Sequence, residues 1–138
     1  MRGISFRLAR QFDFTDSSEP YHDLALVIEG EKLHVSKQIL AFQSPVFKAM
    51  FYGDFVEKNM KEIELNDVIR GEFVELLRII YPSNRVITHD SVAFILKLGD
   101  RFQMQYVIQR AEVLLMDSRL STIKKLMYAN EYRLRAVQ

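Results

Sequence analysis

The chain has 138 residues, 49% of them hydrophobic and 27% charged, with a net charge of +1 and no cysteine. That length suits a single domain that buries about two-thirds of the surface its unfolded chain would expose, a core that needs no staples. The composition excludes a disordered chain, the small net charge gives no bulk reason to bind nucleic acid or an anionic membrane, and the missing cysteine excludes disulfides, thiol nucleophiles and cysteine zinc sites.

The opening stretch "MRGISFRLARQF" alternates charge and hydrophobe and lacks the apolar core and cleavage site of a signal peptide. Arg2, Arg7 and Arg10, with no acid among them, leave an organelle transit segment open, but a tail from a preceding domain suits them better. "FTDSSEPYH", residues 14 to 22, is rich in turn formers and reads as a linker. In "LALVIEGEKLHV", Leu24, Leu26 and Ile28 share one strand face, Gly30 supplies a turn, and Leu33 and Val35 return on a second strand. Ser36 is placed to cap a helix over "KQILAF", whose apolar side gathers Ile39, Leu40 and Phe42. Ser44-Pro45 is a sharper start signal: a capping oxygen, then a first helical residue with no amide hydrogen to leave unpaired. The helix that follows carries Val46, Phe47, Met50 and Phe51 and ends at Gly53.

"EIEL" reads as a short strand with Ile63 and Leu65 inward. In "GEFVELLRIIY", Phe73, Leu76, Leu77 and Ile80 make the i, i+3, i+4, i+7 stripe of a half-buried helix, which Pro82 stops. Thr88 is placed to cap a further helix burying Val92, Ile95, Leu96 and Phe102. The next, over residues 105 to 116, turns Val107, Ile108, Ala111, Leu114 and Leu115 inward, and "SRLSTIKKLMYANEYRLRAVQ" begins a helix pair. No apolar run approaches the ~20 residues of a membrane helix. The fold class is therefore α+β, a small N-terminal sheet covered by short helices.

Catalytic signatures such as G-x-S-x-G, H-E-x-x-H or a phosphate-cradling glycine loop are missing, which argues against an enzyme and against a cofactor. His22, His34 and His89 lack metal-ligand spacing. Glu62/Glu64 and Glu72/Glu75 read as solvent faces, and Asp23 with Lys37 as a structural ion pair at the hairpin base. The basic residues Arg119, Lys124, Lys125, Arg133 and Arg135 alternate with Ile123, Leu126, Met127 and Leu134. They read as the solvated face of a helix whose other side is core, and nucleic acid is not expected as a partner.

The segment "DLALVIEGEKLHVSKQILAFQSPVFKAMF" resembles the opening of a BTB/POZ domain, and the likeness continues through "EIELNDV", "FVELLRIIY" and "LGDRFQM". The stretches "FDFTDSSEPYHDLALVIEGEKLHVSK" and "YPSNRVIT" are most similar to BTB domains of nematode MATH–BTB proteins, and "LSTIKKLMYANEYRL" to the helices that follow the BTB core in cullin-binding members. The resemblance implies an extension or linker over 1–21, a BTB/POZ domain over 22–116 and the start of a 3-box-like helical extension over 117–138. It implies a protein-interaction module, intracellular in cytoplasm or nucleus, acting as a ubiquitin-ligase adaptor. Such a module docks on the N-terminal region of cullin-3 and takes its substrate through a flanking domain. In such adaptors a hydrophobic–x–glutamate motif follows the second helix of the hairpin, where this chain has Phe55-Val56-Glu57. The same surface would include Tyr81, Phe102, Gln103 and Tyr106, with Phe102 the one better suited to the core.

A homotypic scaffold, including the transcription-regulator type, is the alternative. The family's dimers commonly bury an amphipathic helix ahead of the first strand. Here Ile4, Phe6, Leu8 and Phe12 are mostly two apart, a strand spacing, so a homodimer through that surface would lack its helix. The turn "YPSN" stands where many relatives have Tyr-Thr-Gly, which implies a differently shaped loop beside the docking face.

Overall fold

The structure, a computed structural model, describes residues 12–54, 60–116 and 122–136. Strands β1 (Leu24–Ile28) and β2 (Glu31–Val35) form an antiparallel hairpin with Leu24 opposite Val35 and Ile28 opposite Glu31. Its two-residue turn places both Glu29 (φ 53°) and Gly30 (φ 80°) in the left-handed region, the turn whose twist matches that of paired strands. Strand β3 (Glu62–Leu65) lies parallel to β1 on its other side, giving the order β2-β1-β3. Leu24, Leu26, Ile28, Leu33, Val35 and Leu65 turn into one core.

Helices α1 (Lys37–Gln43) and α2 (Pro45–Tyr52) form a hairpin of helices, followed after β3 by α3 (Arg70–Ile80), α4 (Val92–Arg101), α5 (Gln105–Leu115) and α6 (Thr122–Ala136). The capping signals hold: Ser36 Oγ accepts from Ile39 N–H, and Ser44 Oγ accepts from Phe47 N–H with Pro45 opening α2. Helix α3 has no cap of its own, and the hairpin turn supplies one, Glu29 Oε1 accepting from Arg70 N–H at 2.7 Å. A carboxylate there also suits the positive end of the helix dipole. Gly99 lets α4 and α5 approach closely, since a Cβ added to it would lie 3.3 Å from Val107 Cγ1 and Ile108 Cγ1.

Several expectations give way. Phe42 does not join the apolar side of α1; it is exposed, because two steps along a helix turn it about 200° from buried Leu40. Gly53 does end α2, its N–H bonding the Ala49 carbonyl, with a φ of −71° that is open to any residue. Helix α4 starts at Val92, not at Thr88, whose carbonyl accepts from both Ser91 and Val92 N–H in a preliminary turn. Asp23 meets the backbone N–H of Lys37 at 2.9 Å, not its ammonium. Glu75 is half-buried and pairs with Arg85 at 2.7 Å. Leu126 and Met127 are exposed on α6, which is a single helix through Ala136.

The stretch read as a linker is packed over its described part. Phe14 is 4% exposed, and its carbonyl accepts from His34 N–H at 2.7 Å, extending the edge of β2. Phe12, Phe14 and His22 gather around the ring of Tyr81. Thr15, through its hydroxyl and its N–H, bonds the Asp13 carboxylate and holds its pKa below the ordinary value; Ser18 does the same for Asp16.

Candidate docking groove

Three chain connections converge on one side of the molecule, and two buried hydroxyls pin them. Ser44, fully buried between α1 and α2, not only caps α2 but donates its proton to the carbonyl of Phe102 at 2.6 Å, tying the α1–α2 corner to the α4–α5 corner. Tyr81, 1% exposed at the end of α3, accepts from Ser36 N–H at 2.8 Å and ties that end to the start of α1. Burial pushes the Tyr81 phenol well above its ordinary pKa, against the opposing pull of the Ser36 N–H.

Between these corners runs an open groove of about 700 Å³. Phe42, Gln43 and Pro45 form one wall, the end of α3 with Tyr81, Pro82 and Asn84 the second, and Gln103, Gln105 and Tyr106 the third. Phe42 and Pro45 also border a second groove with Gln38, Ala41, Lys48 and Tyr52, so the Phe42 ring stands as a ridge between the two. The rim is apolar with amide side chains and carries no carboxylate among its lining residues.

The α4–α5 corner has a particular backbone. Met104 N–H bonds back to the Gly99 carbonyl at 2.8 Å and Gln103 N–H to Asp100 at 3.2 Å, the paired bonds of a helix C-terminus that turns left-handed, with Gln103 at φ 54°. Glycine is the usual residue at such a position. Asn84, at φ 51°, is the second groove residue in this region.

Of the residues selected from the sequence, Tyr81, Gln103 and Tyr106 thus line one groove. Tyr81 borders it from a buried position, 1% exposed, whereas Gln103 and Tyr106 are exposed. Phe102 is core: it stacks on Phe47 with centroids 4.6 Å apart and reaches the site only through its carbonyl. Phe55 and Glu57 lie outside the described residues. Phe42 and Asn84, which line the same groove, were missed. For Phe42 the signal was present, since residues two apart on a helix cannot share a face. Among the described residues no cluster of His, Asp or Glu is placed to hold a metal, and no helix is long and apolar enough to cross a membrane.

The BTB/POZ domain family matches residues 12–119. The chain belongs to the BTB/POZ family. BTB and MATH domain-containing protein 36 of Caenorhabditis elegans is 42% identical over 137 residues, 99% of this chain and 42% of that protein. Protein 38 of the same series is 41% identical over 98% of this chain and 35% of its own length. The chain therefore spans less than half of these relatives. Among solved structures, the BTB domain of zebrafish PATZ1 covers 83% of the chain with a TM-score of 0.61 at 18% identity, and that of human gigaxonin covers 70% with 0.59 at 22%. These two show the fold, the small sheet with helices described above. Membership in the BTB/POZ family makes the chain a protein-interaction module.

Proposed function

We propose that this domain is a ubiquitin-ligase adaptor that docks on the N-terminal region of cullin-3, working in cytoplasm or nucleus and receiving its substrate through a flanking part of a longer protein. The observation that carries this reading is convergence. Tyr81, Gln103 and Tyr106, from two separate connections, line one groove, and Phe42 stands 88% exposed at its edge. An aromatic ring held in water contributes nothing to the core, whereas aromatic anchors carry much of the free energy at protein interfaces. In this reading Phe55, after the Gly53 end of α2, fills a pocket on the cullin. Glu57 accepts hydrogen bonds there, a carboxylate being favoured at a helix N-terminus.

Calorimetry with the purified cullin-3 N-terminal region tests the proposal. Phe42→Ala and Phe55→Ala should each weaken binding by ~2 kcal/mol, about 30-fold, while Phe42→Ala leaves thermal stability nearly unchanged because its ring is already in solvent. Unchanged affinity in both variants would remove the site. A stable oligomer in light scattering with no cullin binding would favour the self-association scaffold.

A further inference from the structure

Tyr106 opens α5 with 48% of its surface exposed, yet its ring is not left to swing. Arg110, four residues on and so on the same face of the helix, lays its guanidinium over that ring, 5.3 Å from the centroid. Its Nη1 reaches the Tyr106 hydroxyl at 3.5 Å and donates to Asn84 Oδ1 at 2.9 Å. Asn84 sits in the left-handed turn after α3, where its N–H donates to the Tyr81 carbonyl at 2.8 Å. Arg85, in the same turn, holds it to α3 through its N–H on the Arg78 carbonyl and its ion pair with Glu75. Half-buried Arg110 has no carboxylate at ion-pair distance among the described residues. Its guanidinium is committed to a neutral amide and a ring, and it bridges two walls of one groove.

The geometry points to Arg110 as a positioning residue for docking: the guanidinium, anchored by Asn84 of the neighbouring groove wall, sets the Tyr106 ring, and the partner senses the guanidinium through that ring. The inference rests on the docking reading above. A ring fixed before association loses less freedom on binding. The planar fork of arginine is what the arrangement uses, covering an aromatic face and bonding an amide oxygen at once, and a lysine ammonium lacks that plane.

Affinity for the purified cullin-3 N-terminal region is to be measured for the wild-type chain, Arg110→Lys, Arg110→Gln, Asn84→Gly and Phe42→Ala, with the Arg110→Lys change repeated in a Tyr106→Ala background. Asn84→Gly keeps the left-handed backbone accessible while removing the acceptor. The expected result is a loss of about three- to fivefold for Arg110→Lys and Arg110→Gln, at least as large a loss for Asn84→Gly, which also removes a groove-lining side chain, and no further loss from Arg110→Lys once Tyr106 is alanine. Arg110→Lys binding like wild type, with Arg110→Gln weak and salt-sensitive, would make Arg110 a direct charge contact and overturn the relay. Additive losses in the Tyr106→Ala background would overturn it too. If Phe42→Ala weakens binding while the relay variants do not, only the relay fails; if Phe42→Ala also binds normally, the groove reading fails with it.

Discussion

Replacing Ser44 by alanine removes one oxygen, opens almost no cavity, and breaks two bonds at once. The Phe47 N–H loses its cap acceptor at 3.0 Å, and the Phe102 carbonyl loses its donor at 2.6 Å, inside a corner where Ser44 is fully buried. A lost cap costs about 1 kcal/mol, and a buried carbonyl left without a donor about 1–3 kcal/mol more. The sum is about 2–4 kcal/mol. With a urea slope of about 2 kcal/mol/M, the unfolding midpoint should fall by about 1–2 M. Ser36→Ala is the control, because its hydroxyl makes one longer cap bond, 3.4 Å to Ile39 N–H, and should cost only about 0.5–1 kcal/mol. Equal midpoint shifts for the two variants would show that the Ser44–Phe102 bond adds nothing, and the account of the pinned corner would be wrong.

Tyr81→Phe should destabilise the fold by about 1–3 kcal/mol in thermal unfolding, since the buried Ser36 N–H then has no acceptor. The Tyr81 pKa is raised in the folded chain, so the folded state keeps a proton that the unfolded state releases above pH ~10. The contribution is complete below that pH and is lost as pH rises. The stability difference between wild type and Tyr81→Phe should therefore shrink in alkali, and a constant difference would contradict the burial of the phenol. Phe14→Ala should cost about 3–5 kcal/mol, as for a core aromatic, whereas a true linker residue would show less than 0.5 kcal/mol in the same denaturation measurement.

The elements were readable where one local signal had one physical cause. The short apolar run "LALVI", ended by a turn at Gly30, marks a strand, Ser44-Pro45 marks a helix start, and Phe73, Leu76, Leu77 and Ile80 mark a buried stripe. Errors came where composition stood in for geometry. Counting Phe42 as apolar put it inside α1, although angular position decides burial. Turn formers around Phe14 hid a buried ring, and the turn from Thr88 to Ser91 delays a helix that a capping rule starts too early. The bond from Arg110 to Asn84 crosses 26 residues and leaves no period to detect. The groove is of that kind: its walls come from separate connections, brought together by Ser44 and Tyr81 at contacts 58 and 45 residues apart.

The packing of Phe12 and Phe14 against Tyr81 alters how a neighbouring domain would be leashed. Were residues 12 to 23 loose, a module joined before them would sweep a wide volume around the groove. Stapled as they are, residues 12 to 23 withhold the reach of about 40 Å that twelve extended residues would add to such a leash. A cargo carried by such a module is then kept at a higher local concentration beside whatever occupies the groove, and that advantage would vanish if the staple were undone.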